Sequence, residues 1–464
     1  MNNSYLRPHL QLYIQQRLKT AKFKPKIAKT RPLKSPSALA LDHFDFYYGP
    51  LFGKKWPSIR LGLLSPHRFV AVMNTMSKSW EAHEEILADM GTMDLLKRIR
   101  GKTATETIEE KKKKVDSKAA QDTVLANEFL NDTVLENHDD SSSDELEKVL
   151  RGEAGLHEFR KSDSDLTMGS LQMGNKSNGK RGIEVTGFEG EGVRLPRRDH
   201  FIYYPDALRL RTFDRAVLLD YPAPMKDDNG VPSYWLLDGA SLLPVLALGL
   251  EKGDSLLDVC AAPGGKTLLA ILSGLPDRIV CNDFKMARLG QLKRALMTYV
   301  PTDHEMMDKL ILSRKDAGNL EHWDDTNSFD KVLADVPCST DRLSAMTDDG
   351  NIFSPTSTQM RLDLPLLQTR ILVNAIRSCK VGGSVVYSTC TLSPSQNEAV
   401  VENAVAIAQK EFGIKMVEES LAQLVGHLTA TSLFKFNDTP LGALVIPFLP
   451  SNFGPMYICK LTRL

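Results

Sequence analysis

The segment Asp254–Leu272, DSLLDVCAAPGGKTLLAIL, decides the fold. An apolar run ends at Asp258, and a turn of small residues leads into a second apolar stretch with helical spacing. A strand, a Gly-rich turn and a helix in this order let the backbone approach a ligand closely, while the first amides of the helix remain free to bind it. The segment therefore predicts a strand, turn and helix with a ligand at the turn.

The turn matches neither of two common nucleotide-binding loops. A triphosphate-binding loop needs glycine five positions before the second Gly of Gly-Gly-Lys-Thr, and this chain has Cys260 there. The dinucleotide fingerprint Gly-x-Gly-x-x-Gly is also missing. Asp283 ends the next apolar run, 25 positions after Asp258, where a carboxylate suits ribose hydroxyls. The pattern favours a binding site for a nucleoside without a polyphosphate. The alternative is the phosphate-binding site of a nucleotide hydrolase.

Strand-like and helix-like segments alternate after the turn. Further strands are predicted at 279–283, 309–312, 331–337 and 384–390, with helical stretches at 287–300, 360–379 and 397–409. This alternation predicts a mostly parallel, twisted sheet with helices on both faces, a Rossmann-like α/β fold. Two late runs, 443–448 and 456–461, predict closing strands that include an antiparallel one.

The first 41 residues contain nine Lys or Arg and no Asp or Glu. Leu6, Leu10, Ile14 and Leu18 form one apolar stripe, which favours a mitochondrial presequence over the alternative, a basic nucleic-acid arm. Without this segment the chain has 49 basic and 58 acidic residues, a net charge of −9. A nucleic-acid enzyme with this balance needs a local basic patch or a basic partner.

Composition divides the chain into a presequence (1–35), an N-terminal helical region (36–101), a disordered acidic insertion (102–190) and a catalytic domain (191–464). Residues 68–90 of the N-terminal region have a helical pattern. Residues 102–185 have 13 basic and 18 acidic side chains and few aromatics, which is too polar to offset the entropy of ordering. No apolar run reaches the roughly 18 residues of a membrane span.

The six cysteines show no Cys-x-x-Cys pair and no zinc spacing, so we expect reduced thiols and no metal site. Cys338 and Cys390 differ from the others because each follows a predicted strand. If those strands are neighbours, about 5 Å apart, both thiols open onto one pocket. The remaining four lie within apolar runs or helix faces and are expected in the core: Cys260, Cys281, Cys379 and Cys459.

Three motifs together resemble the RNA cytosine-5 methyltransferases of the Nol/Nop/Sun group: DVCAAPGGKT (258–267), ADVPCSTDR (334–342) and YSTCTLSPSQNE (387–398). Residues 51–65 and 443–464 resemble its mitochondrial ribosomal-RNA branch. The resemblance implies a class I methyltransferase fold, the cofactor S-adenosyl-L-methionine and a location in the mitochondrial matrix. It also implies, as partners, mitochondrial ribosomal RNA, the ribosomal small subunit and a helical-repeat protein of the transcription-termination-factor type.

The resemblance assigns cofactor contacts to particular residues. The methionine end would lie against Gly264, Gly265 and Lys266, and the ribose against Asp283. Arg288 would add a cofactor contact, with a helix-surface arginine as the alternative. The adenine would meet Asp316 and Ala317, although this chain has Ala317 where the family pattern suggests glycine. Asp335 would be shared between the cofactor and the target base.

In the family resembled, Cys390 is the nucleophile and Cys338 assists product release. Carbon 5 of cytosine attacks a sulfonium methyl poorly, but a thiolate added at carbon 6 makes the ring an enamine, and this divides a difficult reaction into easier steps. The thiolate needs an electropositive pocket, with Lys266 and Arg342 as candidate cations. The alternative function is a ribosome-assembly scaffold that keeps the fold and binds ribosomal RNA without turnover.

Overall fold

The computed structural model describes residues 34–101, 195–199 and 201–464. Apart from residues 34 and 35, the predicted presequence lies outside this range, and so does the whole of the predicted acidic insertion. The described helices are α1 Pro36–Phe52, α2 Trp56–Leu64, α3 Trp80–Asp89, α4 Leu243–Leu248, α5 Gly265–Leu272, α6 Met286–Tyr299, α7 Met306–Lys309, α8 Asp341–Met346, α9 Thr358–Leu362, α10 Leu364–Ser378, α11 Glu398–Phe412 and α12 Ala422–Ala430. Residues 95–101 are also helical.

The strands form two sheets. They are β1 Phe69–Met73, β2 Met93–Asp94, β3 Arg197–Asp199, β4 Leu210–Thr212, β5 Tyr234–Asp238, β6 Ser255–Asp258, β7 Arg278–Asn282, β8 Leu310–Ser313, β9 Phe329–Asp335, β10 Cys379–Thr389, β11 Met416–Ser420, β12 Phe436–Asn437, β13 Ala443–Val445 and β14 Met456–Arg463. The smaller sheet has the order β2-β4-β1-β5, and the larger has the order β12-β13-β14-β10-β9-β6-β7-β8. Strand β11 pairs with β14 and β3 at the side of the larger sheet.

The centre of the larger sheet is parallel. Strands β10, β9, β6, β7 and β8 pair in parallel in that order, and β14 then joins β10 in the antiparallel direction. Within this parallel region the chain passes from β6 outward to β7 and β8, and then returns to β9 on the other side of β6. Ligands of open α/β sheets bind at such a reversal of strand order. The predicted Rossmann-like α/β fold and its antiparallel closing strand are confirmed.

Helices cover both faces of this sheet. Leu256 packs with residues of α4, α5 and α6 on one face. Its neighbour Leu257 packs with residues of α10 and α11 on the other. Successive strand residues point to opposite faces, so a strand between two helical layers must be apolar at every position. This requirement explains the unbroken apolar run that precedes the Gly-rich turn.

Helix α1 belongs to the same core as the catalytic half of the chain. Ser35 caps it by accepting a hydrogen bond from the amide of Ala38 at 3.3 Å, and Pro36 occupies its first turn. Its buried residues recur every four positions: Ala40, Phe44, Tyr48 and Phe52. This face packs into the cluster that contains Leu257, and α1 contacts α8.

Two segments differ from their predicted secondary structure. Residues 68–90 were expected to be helical, but Phe69–Met73 is strand β1, paired with β5, and only Trp80–Asp89 is helix. The apolar run at 236–250 predicts one helix from the sequence, but β5 extends to Asp238 and α4 covers only Leu243–Leu248. Both errors have one cause, since periodicity alone does not separate a short apolar strand from a buried helical segment.

Within the described ranges, no helix has the length and apolar character that crossing a bilayer requires. The same residues contain no group of three or more His, Cys, Asp or Glu side chains arranged to hold a metal ion.

Candidate active site

The predicted functional residues lie where the parallel strands end. Asp258 ends β6, Asp335 ends β9, and Asp283 and Cys390 directly follow β7 and β10. Because these strands run in parallel, their carboxyl ends meet at one edge of the sheet, and β6 lies between β9 and β7. The edge is therefore the crevice at the reversal of strand order, where α/β folds bind ligands.

The Gly-rich turn brings the start of α5 against the end of β6. Gly264, which precedes the helix, has φ +117°, and a Cβ added to it would lie 3.0 Å from Leu292. Only glycine adopts this conformation without strain. Gly264 supplies no side-chain cap, so the first amides of α5, which begins at Gly265, are available to a ligand.

Lys266 extends from the first turn of α5 to the end of β9. Its Nζ donates to Asp335 Oδ2 at 2.8 Å, and its side chain is 14% exposed. Burial lowers the pKa of Lys266, but the Asp335 carboxylate outweighs this effect and the net pKa is raised. Ser388 Oγ donates to Asp335 Oδ1 at 2.8 Å. The carboxylate is therefore held from both sides.

Asp258 is buried beside the turn. Its Oδ2 accepts from the Thr267 hydroxyl at 2.7 Å, while its Oδ1 has no hydrogen-bond partner among the described residues. Burial raises the pKa of Asp258 to about 7. A buried carboxylate oxygen without a donor is costly, so a donor group at this position would be stabilising.

Asp283 and Arg288 are linked to the Gly-rich turn. Asp283 Oδ1 accepts from the amide of Lys285 at 3.0 Å, and its Oδ2 lies 3.4 Å from Arg288 Nε. Arg288 also donates from Nη2 to the carbonyl of Ala262 at 2.5 Å. Arg288 thus bridges the turn and the carboxylate expected to bind ribose.

Asp316 and Ala317 lie just beyond β8, on the outer side of the same edge. Asp316 is exposed, and its Oδ1 accepts from the amide of Gly318 at 2.9 Å. Ala317 is buried, and its carbonyl accepts from Asn374 Nδ2 at 2.8 Å. In the described structure neither residue bonds to the Asp283–Arg288 pair. The fold places both residues at the edge without joining them to the other predicted cofactor contacts.

The two predicted catalytic cysteines meet. Strands β9 and β10 are parallel neighbours, with Asp335 opposite Ser388. Cys338 Sγ lies 3.2 Å from Cys390 Sγ and accepts a hydrogen bond from the Cys390 amide at 3.4 Å. Both are free thiols, Cys338 buried and Cys390 partly exposed. Three of the other cysteines are buried and one is partly buried: Cys281, Cys379, Cys459 and Cys260.

The electrostatic surroundings of Cys390 differ from the expected electropositive pocket. Its hydrogen bond with Cys338 and its burial raise the pKa of the Cys390 thiol well above the usual value, and Asp335 adds to the effect. Lys266 opposes it. Arg342, the second candidate cation, donates instead to the carbonyls of Gly62, Ser65, Asn452 and Gly454. Of the two candidate cations, therefore, only Lys266 acts on this thiol.

Sequence reasoning missed Ser388, which holds one oxygen of Asp335. The alternation of side chains along a strand was the available signal, because residues two apart point to the same side. Ser388 precedes Cys390 by two positions in the quoted stretch YSTC. No motif identified this residue, and its partner lies 53 positions away in the chain.

These residues fit S-adenosylmethionine. The free amides of α5 suit the carboxylate of its methionine part, and Asp283 after β7 offers acceptors to ribose hydroxyls. The ammonium of the methionine part is the kind of donor that Asp258 lacks. Of the predicted set, Gly264 lies in the turn between β6 and α5, Gly265 and Lys266 begin α5, and Asp283 directly follows β7.

The chain is similar to known methyltransferases. Residues 245–461 match the family model "16S rRNA methyltransferase RsmB/F". The 5-cytosine rRNA methyltransferase nsun-4 of Caenorhabditis elegans is 70% identical, over 97% of each chain. The Xenopus tropicalis protein 5-cytosine rRNA methyltransferase NSUN4 is 35% identical, over 96% of this chain and 94% of its own. A Danio rerio protein named tRNA (cytosine(34)-C(5))-methyltransferase, mitochondrial, is 36% identical over 52% of this chain and 64% of its own.

Full-length identity of this degree, together with the fold and the residues at its ligand-binding edge, identifies the family. The chain belongs to the RsmB/F and NSUN4 family of S-adenosylmethionine-dependent RNA cytosine-5 methyltransferases.

Proposed function

We propose that this enzyme methylates carbon 5 of a cytosine in mitochondrial small-subunit ribosomal RNA by covalent catalysis at Cys390. The observation that most strongly supports this chemistry is the position of the two thiols, which lie 3.2 Å apart at the ends of neighbouring strands. Beside them is the Lys266–Asp335 ion pair, with a nitrogen to oxygen distance of 2.8 Å. A nucleophile, a second thiol and a carboxylate thus share one edge with the expected cofactor contacts.

Cys390 begins the reaction by bonding its sulfur to carbon 6 of the cytosine. Because the pKa of Cys390 is raised, the thiol must lose its proton as the bond forms. Asp335 lies close enough for its charge to act on this thiol, and it is the acceptor that we assign. Negative charge develops on nitrogen 3 of the ring during the addition, and a protonated Asp335 stabilises it by a hydrogen bond.

S-adenosylmethionine supplies the electrophilic methyl group, which carbon 5 of the enamine accepts. The carbon 5 proton must then leave before the bond from sulfur to carbon 6 breaks. We assign Cys338, 3.2 Å from Cys390, to accept this proton and so assist product release; the electrons of the carbon–hydrogen bond restore the ring double bond, and the Cys390 sulfur leaves as a thiolate. Ser388 and Lys266 keep Asp335 in place throughout, with hydrogen bonds of 2.8 Å each.

The relatives and the charge balance support the proposed substrate, location and partner. Two relatives are named as rRNA methyltransferases and one as mitochondrial, and the basic composition and apolar stripe of residues 1–41 agree with import into the matrix. The acidic remainder of the chain supports a helical-repeat RNA-binding partner that supplies positive charge. In this proposal the enzyme acts during assembly of the mitochondrial small subunit.

The cysteine roles are tested by comparing two variants with labelled ribosomal RNA. Cys338→Ala should accumulate a covalent RNA adduct that survives denaturing gel electrophoresis, because release is impaired. Cys390→Ala should form no adduct and no 5-methylcytosine. Cys459→Ala removes a buried thiol of β14 and should behave as the unmodified enzyme. Absence of an adduct from Cys338→Ala would overturn the assigned roles.

The substrate is tested by bisulfite sequencing of mitochondrial RNA from cells with and without the protein. We expect one small-subunit cytosine to lose its protection from bisulfite when the protein is absent. Cys390→Ala should restore neither this methylation nor full ribosome assembly. Full assembly with Cys390→Ala would favour the scaffold function instead.

A further inference from the structure

A buried hydrogen-bond network joins helix α1 to the loops that carry the two cysteines. Its centre is Asp341, which is fully buried at the start of α8. Asp341 Oδ2 accepts from the Tyr48 hydroxyl at 2.8 Å and from the Leu392 amide at 2.8 Å. Asp341 Oδ1 accepts from the Ser339 hydroxyl at 2.8 Å. One carboxylate therefore fixes three segments of the chain.

The residues held by this network directly follow the two cysteines. Ser339 follows Cys338, and Thr391 follows Cys390. Their hydroxyl oxygens lie 2.9 Å apart, and the Tyr48 hydroxyl oxygen lies 3.3 Å from that of Thr391. The network therefore spans from one cysteine loop to the other, one residue beyond each sulfur-bearing position.

Gln396, two residues before α11, completes the network. Its Oε1 accepts from the Ser339 amide at 3.0 Å, and its Nε2 donates to the Ser339 hydroxyl at 3.0 Å. Gln368 Nε2 donates to the carbonyl of Pro337, on the other side of Cys338, at 2.7 Å. The loop around Cys338 is thus held on both sides by side chains that are themselves buried.

We propose that Tyr48 is a positioning residue: through Asp341, its hydroxyl fixes the relative placement of the Cys338 and Cys390 loops. The inference rests on the proposed roles of the two cysteines. A covalent reaction with two participating sulfurs tolerates little error in their separation, because misplacement of reacting groups by about 1 Å costs on the order of 100-fold in rate. Tyr48 therefore makes α1 part of the catalytic machinery.

The ring and the hydroxyl of Tyr48 have separable roles. The ring packs against Phe44 of the same helix and Trp56 of α2, with ring centroids 5.2 Å and 5.5 Å away, within the buried cluster that joins α1 to the larger sheet. Only the hydroxyl reaches the network. Burial raises the pKa of Tyr48 well above its usual value, so the hydroxyl remains a neutral donor at any physiological pH.

The test uses Tyr48→Phe in the full-length enzyme, because this change removes the donor and keeps the ring. We expect kcat to fall about tenfold, the effect of about 1.4 kcal/mol on the barrier, while KM for RNA and for S-adenosylmethionine stays within about twofold. Tyr457→Phe is the matched control. Tyr457 is equally buried, and its hydroxyl donates to the carbonyl of Leu441 at 3.0 Å, so its removal should leave kcat unchanged.

A double-mutant cycle tests whether Tyr48 acts through Asp341. Asp341→Asn alone should lower kcat, and adding Tyr48→Phe should lower it little further, because both changes break the same link. If Asp341→Asn folds poorly, Ser339→Ala replaces it in the cycle. Additive losses would overturn the proposed route through Asp341.

Three other outcomes also count against the inference. Equal activity of Tyr48→Phe and Tyr457→Phe would remove the positioning role. A change in KM without a change in kcat, or a loss of activity equal to the fraction of unfolded protein, would mean that Tyr48 contributes only packing. If the unmodified enzyme methylates no RNA, the proposed function fails first; if it methylates RNA and Tyr48→Phe is unaffected, only the positioning role fails.

Discussion

At the scale of single residues, the raised pKa of Cys390 is the feature that most affects the chemistry. A nucleophilic cysteine usually has a lowered pKa, but here the hydrogen bond with Cys338, burial and Asp335 all act in the opposite direction. The resting thiol is therefore protonated, and in the proposed mechanism it becomes a nucleophile only when a base takes its proton. The Lys266 ammonium limits this rise in pKa.

The pH dependence of Cys390 alkylation tests this state in the enzyme without ligands. A group with a raised pKa keeps its proton to higher pH, so the thiolate fraction, and with it the rate, should still be increasing at pH 9. Lys266→Met should shift the profile further upward, because the ammonium that favours the thiolate is lost. Lys309→Met, which removes a partly exposed lysine paired with Asp277, should leave it unchanged. Iodoacetamide labelling read by peptide mass spectrometry gives these rates, and a plateau below pH 8 would contradict the assignment.

At the scale of elements, the Gly-rich turn depends on a backbone conformation that other residues do not adopt easily. Gly264→Ala should destabilise the fold by about 1–3 kcal/mol, the usual cost of such strain, because the added Cβ also meets Leu292 at 3.0 Å. It should weaken S-adenosylmethionine binding at least tenfold by moving the start of α5. Urea unfolding and calorimetric titration measure the two effects.

Gly274→Ala is the control for the turn. Gly274 has φ +66°, but a Cβ there would meet no atom within 4 Å. This variant should lose stability through backbone strain and keep the cofactor affinity unchanged. If Gly264→Ala binds S-adenosylmethionine as well as Gly274→Ala does, the turn does not position the cofactor.

Some of these elements could be predicted from the sequence, and others could not. Strands β6 to β10 and the residues at their ends were predictable, because each strand is a local apolar run and each motif is contiguous. Strand β1 and the Tyr48–Asp341 contact were not. Tyr48 and Asp341 lie 293 positions apart, and no local pattern specifies a pairing of that range. Ser388 was missed for the same reason, since only its partner gives it a role.

At the scale of the whole molecule, the charge distribution limits how strongly the chain alone can hold RNA. Three basic side chains near the carboxyl edge of the sheet are already paired with carboxylates. Lys266 pairs with Asp335, Arg288 with Asp283, and Lys315 with Asp324 and Asp325, at nitrogen to oxygen distances of 2.7 to 3.4 Å. A paired cation contributes little to phosphate binding unless its partner is displaced.

This distribution predicts a weak salt dependence of RNA binding for residues 42–464, whose net charge is −9. Each phosphate neutralised on a single strand adds about −0.7 to the slope of log K against log salt. We expect a slope of about −2 or shallower, equivalent to about three phosphates, from titrations of a fluorescent RNA between 50 and 200 mM salt. A slope steeper than −5 would mean that the chain has an extended phosphate-binding surface of its own, and the need for a basic partner would then disappear.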